Sequence, residues 1–301
     1  MEDIPTNTRI FVIFYSLFAA FACAVGTASA AGVKVEKSGR VQPYTFAVVP
    51  YYTPEKIWKL FSPFVEYIST ETKQPWKLLL YSNHDEFVED ICNGKISVAL
   101  AGPIPVGRGY NKCGSRPFLA ALAKNGKPVY HAFMVTSDPA ARELPDLKGR
   151  KIGLFKGSTA AHILPVKMLK NAGVPLSDIQ PVFIEGQDRL VTALLSGEVA
   201  AAGMKEALFR KIAKENLRVL ATSEEVPNFA LTALPSFPEK LRRQLTKSLL
   251  TLQPLVDSKD AAIVKGWDDE VKNGFVEPDS NFLPAILNLY SIYWEITNES
   301  R

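Results

Sequence analysis

The chain has 301 residues and a formal net charge of +4. That length supports one large hydrophobic core or two smaller ones. The composition, 47% hydrophobic and 22% charged, is that of a soluble globular protein, and its basic residues form no dense Lys/Arg run, which argues against nucleic-acid binding.

The first thirty residues read as an export leader. No charged residue occurs from Ile10 to Val33, and the densest apolar stretch is Ile10–Val25. Ala28 and Ala30 fit a small-x-small cleavage site, with cleavage after Ala30. The start is a poor match, because Glu2 and Asp3 outweigh Arg9. An uncleaved anchor is the first alternative, since about 20 apolar residues span a bilayer. A lipid-modified Cys23 is the weaker one, because Ala20 stands where a leucine is expected. All three place the remainder outside the cytoplasm: free in the periplasm, or anchored on the outer side of the inner membrane. No second segment is long and apolar enough to span.

Beyond the leader, strand-like and helix-like patterns alternate. Tyr44–Val49 reads as a strand. Thr53 caps a helix with Pro54 at its first position, running to about Thr70. Trp76–Tyr81 is a strand. Asn83 to Asn93 is a short helix, with Asn83 and Glu86 spaced as a capping box and Gly94 as terminator. Ile96–Ala101 is a third strand, ending in Gly102-Pro103. The order then recurs: strand Lys151–Phe155, a helix opened by Gly157-Ser158-Thr159, strand Gln180–Ile184, short helix Asp188–Leu195 and strand Val199–Met204. Asp85, Val88, Gly94 and Ile96 reappear at a constant offset as Asp188, Val191, Gly197 and Val199. The pattern predicts two similar α/β lobes, each a mostly parallel sheet with flanking helices.

Tyr130–Thr136 and Asn228–Leu234 are the natural strands crossing between lobes. The helical patterns Pro238–Leu252, Lys259–Trp267 and Phe282–Thr297 are expected to pack on the first lobe. The domain reading is therefore a signal peptide at 1–30, lobe 1 at 31–134 and 226–301, and lobe 2 at 135–225, closing about two hinge strands.

Two cysteines follow the leader. Cys92 ends a helix and Cys113 follows the next strand and loop. In an oxidising compartment they form one disulfide; otherwise they are two buried thiols. Neither has a Cys-x-x-Cys partner, so redox catalysis and zinc are not indicated. No nucleophile elbow, zinc-protease motif or close Cys/His pair occurs, and His84, His131 and His162 are scattered. The chain reads as a binding protein without a cofactor rather than as an enzyme.

Ligands of open α/β sheets sit beyond the carboxyl ends of the strands. Here those ends are Val49 to Thr53, Asn83-His84-Asp85, Gly102-Pro103, Lys156-Gly157-Ser158-Thr159, Gly186-Gln187-Asp188 and Gly203-Met204. Gly157-Ser158-Thr159 suits an oxyanion: the backbone approaches closely, two hydroxyls and free amides point one way, and Lys156 adds charge. The same residues serve equally as a plain helix cap, and they form no P-loop. Tyr51 and Tyr52 supply a hydrogen-bond donor or rim packing. Asp188 either accepts a proton from a protonated oxyanion, binds an ammonium, or begins its helix.

These residues resemble the PhnD-like phosphate/phosphite/phosphonate-binding proteins of ABC transporters. The resemblance covers roughly Tyr44 to Leu250, on Val49 to Lys56, Ala101-Gly102-Pro103, Asp146 to Arg150, Ser158-Thr159 with Pro165, and Gln187-Asp188. It implies a type II periplasmic-binding-protein fold in which Tyr51 or Tyr52, Ser158 and Thr159 are ligand donors. It also implies a small anionic ligand, an inner-membrane permease as partner, and a monomer. The sequence departs from the family where a third helix-start serine is Ala160, where His-Asp is Gln187-Asp188, and where Val106 replaces a tyrosine. Lys156, His162 and Arg189 are the candidates to replace the missing donors. A ligand-sensing receptor of the same fold is the alternative function.

Overall fold

The computed structural model describes residues 42–213 and 216–299. The predicted leader, with Cys23, lies outside the described residues. In chain order the first elements are β1 (Tyr44–Val48), α1 (Pro54–Thr72), β2 (Trp76–Leu79), α2 (His84–Cys92), β3 (Val98–Ala101) and α3 (Pro103–Cys113), then β4 (Arg116–Ala121), β5 (Val129–Tyr130) and β6 (Ala132–Thr136). Next come β7 (Lys151–Leu154), α4 (Leu164–Asn171), β8 (Gln180–Phe183), α5 (Gln187–Leu195), β9 (Ala201–Lys205), α6 (Glu206–Ile212), β10 (Arg218–Thr222) and β11 (Val226–Pro227). The last are β12 (Ala230–Ala233), α7 (Glu239–Thr251), α8 (Ser258–Ile263), β13 (Phe275–Val276) and α9 (Phe282–Glu299).

The strands form two sheets of one design. The first has the order β13-β4-β12-β3-β1-β2 and the second β10-β6-β9-β7-β8. In each, the repeated unit supplies three parallel strands, β2-β1-β3 and β8-β7-β9. Next to that unit each sheet takes an antiparallel strand: β12 on β3 and β6 on β9. The expected parallel character is thus confined to the repeats, and the crossing strands make both sheets mixed. β5 and β11 pair as a two-stranded ribbon between the sheets. β6 lies wholly in the second sheet, so the first crossing falls at Val129–Tyr130, ahead of the 134/135 boundary read from the sequence.

The internal repeat is visible in the backbone. α2 and α5 have nine residues each and start at the same repeat position. Gly94 and Gly197 end the corresponding turns with φ of 73° and 74°. No side chain is comfortable in that left-handed region, which is why glycine stands at both. Asn83 caps α2 as its spacing predicts, its Oδ1 accepting from Glu86 N–H at 2.8 Å.

The structure departs from the sequence reading at α3. The sequence reading places a loop between the third strand and Cys113, and Pro103, Pro105, Gly107 and Gly109 do give this segment poor helix propensity. Proline at the first position is tolerated, and Gly114 closes the helix at φ 71°. Tertiary burial supplies the rest: Pro103 to Gly107 are buried and α9 lies along α3. α9 also reaches β11 and the Thr159–Ile163 turn of the second lobe, so it bridges the lobes instead of packing on the first alone. β4 is a further strand absent from the sequence pattern; it contains Pro117, which sits where the β4–β12 register slips, a position where a strand tolerates proline.

Cys92 and Cys113 are joined by a disulfide. It ties the end of α2 to the end of α3, and the ion pairs Arg108–Asp85 and Lys112–Glu89 link the same two helices. The bridge closes a loop with a sequence separation of 21. Replacing both cysteines by serine is expected to cost about 3 kcal/mol of stability. Urea denaturation of the variant and of oxidised wild type measures it, and equal midpoints would show that the bridge adds nothing.

Candidate functional site

The strand ends of the two sheets face one another and are joined. Gln187 N–H, at the start of α5, donates to Tyr51 O at 3.0 Å. Ile104 N–H, in the first turn of α3, donates to Thr159 Oγ1 at 3.2 Å. Lys56 Nζ lies 2.8 Å from both carboxylate oxygens of Asp188 and 3.6 Å above the Tyr52 ring. The His84 ring meets the Phe155 ring edge-on at 5.3 Å. Gly157, at φ 78°, lies so close that an added Cβ would stand 3.1 Å from His84 Nδ1. Only glycine serves both the left-handed turn and this approach.

The start of the second lobe's first helix has an unusual cause. Pro165 has no N–H to give to Ala161 O, and Phe155 N–H takes that carbonyl at 2.9 Å. The turn Thr159–Ile163 widens to π geometry ahead of α4. Ser158 Oγ accepts from Ala161 N–H at 3.1 Å, which keeps its own proton available for donation. Thr159 is buried and lies beside the Tyr130 phenol. His162 is buried, with Nδ1 accepting from Gly157 N–H at 3.2 Å, so it braces the loop rather than facing the cleft. Lys156 is exposed beside it.

A second set of groups meets at the end of β9. Lys205 is 6% exposed. Its ammonium donates to Glu270 Oε2 at 2.5 Å and to Asn228 Oδ1 at 2.6 Å. The Tyr130 and Phe229 ring centroids lie 4.4 and 4.7 Å away. Asn228 is held by its Nδ2 donating to Ala121 O. Buried Tyr51 donates to Asp268 Oδ1 at 2.7 Å, and Glu270 N–H donates to the same oxygen at 2.9 Å. Burial raises the Tyr51 phenol well above its ordinary value, reinforced by the Asp268 charge. Burial likewise holds the Glu270 carboxyl above the usual carboxylate range, against the opposing pull of Lys205. A cavity of about 340 Å³ adjoins this cluster, lined among others by Lys205, Tyr130, Asn228, Glu270, Arg210 and Lys211.

The structure therefore brings Tyr51, Tyr52, Gly102, Pro103, Ser158, Thr159, Gln187 and Asp188 to one seam, but largely against each other. Gly102 caps α3, and an added Cβ there would meet the Phe229 ring at 2.9 Å. Lys205, Asn228, Tyr130, Asp268 and Glu270 were not singled out from the sequence. Lys205 was within reach: β9 runs one residue past Met204, and the strand-end rule then selects it. The acidic run Asp268-Asp269-Glu270 after Trp267 was the other available signal.

The chain matches the family described as ABC transporter, phosphonate, periplasmic substrate-binding protein over residues 46–281. A curated protein of Escherichia coli (strain K12) named for aliphatic sulfonate binding is 23% identical over 168 residues, 52% of this chain; the match spans about half of that relative's length, 51%. A binding-protein component of an ABC phosphonate transporter from Pseudomonas aeruginosa superposes with a TM-score of 0.72 at 16% identity, covering 86% of this chain and 89% of its own. PhnD1 from Prochlorococcus marinus, in complex with methylphosphonate, superposes with a TM-score of 0.72 at 15% identity, covering 84% and 98%. At these identities the structural likeness establishes the fold.

His84 and His162 give the seam a pH dependence. Burial lowers each to about 4, helped by Arg108 for His84 and Lys156 for His162. His84 also faces Asp85 and the Pro50 carbonyl, which oppose the shift. Between about pH 6.5 and about pH 4 the unfolded chain binds these protons and the folded chain does not. Stability is thus full above pH 6.5 and falls as pH drops, by about 1.4 kcal/mol per pH unit for each histidine. In urea titrations at several values from pH 7.5 to 5, His84→Asn is expected to lose one proton's worth of this slope. Equal slopes would show that His84 titrates normally in the folded chain.

Proposed function

The chain belongs to the phosphonate family of periplasmic substrate-binding proteins of ABC transporters, and from that membership we propose that it captures a small oxyanion between its lobes and delivers it to an inner-membrane permease. The observation that carries this reading is the polar seam. Groups from the strand ends of both sheets meet there with hydrogen-bond donors and a buried ammonium beside an open cavity. A site formed from two halves is made when the lobes come together, so ligand and closed form stabilise each other. The family binds solutes for transport rather than converting them.

The ligand class is phosphate, phosphite or phosphonate, which the family description and the methylphosphonate-bound relative support. Ser158, with a hydroxyl proton available, and Thr159 are the helix-start donors in this reading, with Tyr52 and Gln187 at the rim. The working form is a periplasmic monomer whose leader is removed after Ala30. N-terminal sequencing of exported protein checks this: Ala31 as first residue is expected, and an intact Met1 would indicate an anchored form.

A thermal-shift panel tests the ligand class. It contains phosphate, phosphite, methylphosphonate, 2-aminoethylphosphonate, sulfate and an alkanesulfonate. A ligand present at 100 times its dissociation constant is expected to add about 2.7 kcal/mol. No shift with any phosphorus oxyanion would overturn the phosphate-type assignment, and a shift with the alkanesulfonate alone would replace it.

A further inference from the structure

We infer that Lys205 is the cation that anchors the bound oxyanion and that the Glu270 carboxylate is its resident counter-ion, displaced when ligand binds. The inference rests on the proposal that this chain binds a small oxyanion, and it adds to the helix-start donors a cation and counter-ion from outside the segments carrying the family resemblance.

The geometry gives three reasons. First, Lys205 is positioned independently of Glu270. Asn228 Oδ1 and the Tyr130 and Phe229 rings hold its ammonium on other sides. If Glu270 leaves, the ammonium keeps its place and needs a new anion, because a buried charge without a partner is costly. Second, Lys205 and Glu270 both line the cavity of about 340 Å³, so an incoming anion reaches the ammonium from the side the carboxylate occupies. A carboxylate and an oxyanion accept from an ammonium in the same way, so one substitutes for the other. Third, Glu270 is carried by a loop and Lys205 by the end of a central strand. Lys205 ends β9, which is paired on both sides, whereas Glu270 lies between Trp267 and β13. Of the pair, the lysine is carried by regular structure and the acid is not.

Within the Asp268–Glu270 loop, Glu270 is the carboxylate on Lys205, while Asp269 is already paired with Lys211 and Lys272. An oxyanion entering without displacing the Glu270 carboxylate would have to share the Lys205 ammonium with it. Glu270 therefore sets affinity: it holds the site closed to weakly bound anions, and removing its charge relieves the competition.

Isothermal titration of wild type, Glu270→Gln and Lys205→Met with inorganic phosphate and with methylphosphonate tests this, with circular dichroism confirming that each variant is folded. E270Q is expected to bind at least tenfold more tightly than wild type, and K205M at least a hundredfold more weakly. If K205M does not fold, Lys205→Met with Glu270→Met removes both charges and is expected to lose binding in the same way. Equal dissociation constants for wild type and E270Q, or weaker binding by E270Q, would overturn the inference while leaving the oxyanion reading intact. Binding of neither probe by wild type or E270Q would overturn both.

Discussion

A charge withdrawn from water has to be met where it stops, and the Lys205 ammonium is the charge that sets the terms on which the two lobes meet. It is buried at the end of a second-lobe strand, yet the acid that neutralises it, Glu270, comes from the first-lobe part of the chain, before β13. Breaking such a pair by removing one member costs about 3–5 kcal/mol, because the survivor is left uncompensated. The contact is therefore weak glue but a strict condition: the lobes approach only in the arrangement that brings an anion to Lys205. Tyr51, Asp268 and Asn228 extend the condition outward through hydrogen bonds that fix the acid loop and the ammonium.

The crossing strands make this possible. Tyr130 ends β5 and Asn228 lies between β11 and β12, so two neighbours of Lys205 come from the segments that carry the chain between the sheets. A hinge that also supplies site residues couples lobe position to site geometry. The Thr159–Tyr130 contact continues the coupling to the helix start on the far side. α9, lying against both α3 and the Thr159–Ile163 turn, gives the same junction a packed apolar back.

Local chemistry made much of this legible. Strands β1 to β3 and β7 to β9, the cap at Asn83, and the paired turns at Gly94 and Gly197 each have a residue whose short-range physics dictates the element. α3 was illegible because its residues disfavour helix and only burial and the disulfide overcome that. The seam was half legible. Strand ends can be listed from a sequence, and Ser158, Thr159 and Gln187 do lie there. Which groups they meet depends on partners far away in the chain, such as Lys56 with Asp188 or Ile104 with Thr159. Periodicity carries no information about such pairs. Lys205 escaped for a smaller reason: a strand-end lysine reads as solvated, and only partners distant in the chain, Glu270, Asn228 and the Tyr130 and Phe229 rings, enclose this one.

The exchange of strands has a consequence for how the molecule comes into being. The second sheet is built from one unbroken stretch, β6 to β10, and is complete once Thr222 has been made. The first sheet is not: β3 must wait for β12, pairing Ala101 with Ala230, and β4 must wait for β13 as well. Contacts between such distant segments form slowly, since the intervening chain has to be ordered before they are gained. The amino-terminal half thus spends its synthesis without its sheet partners.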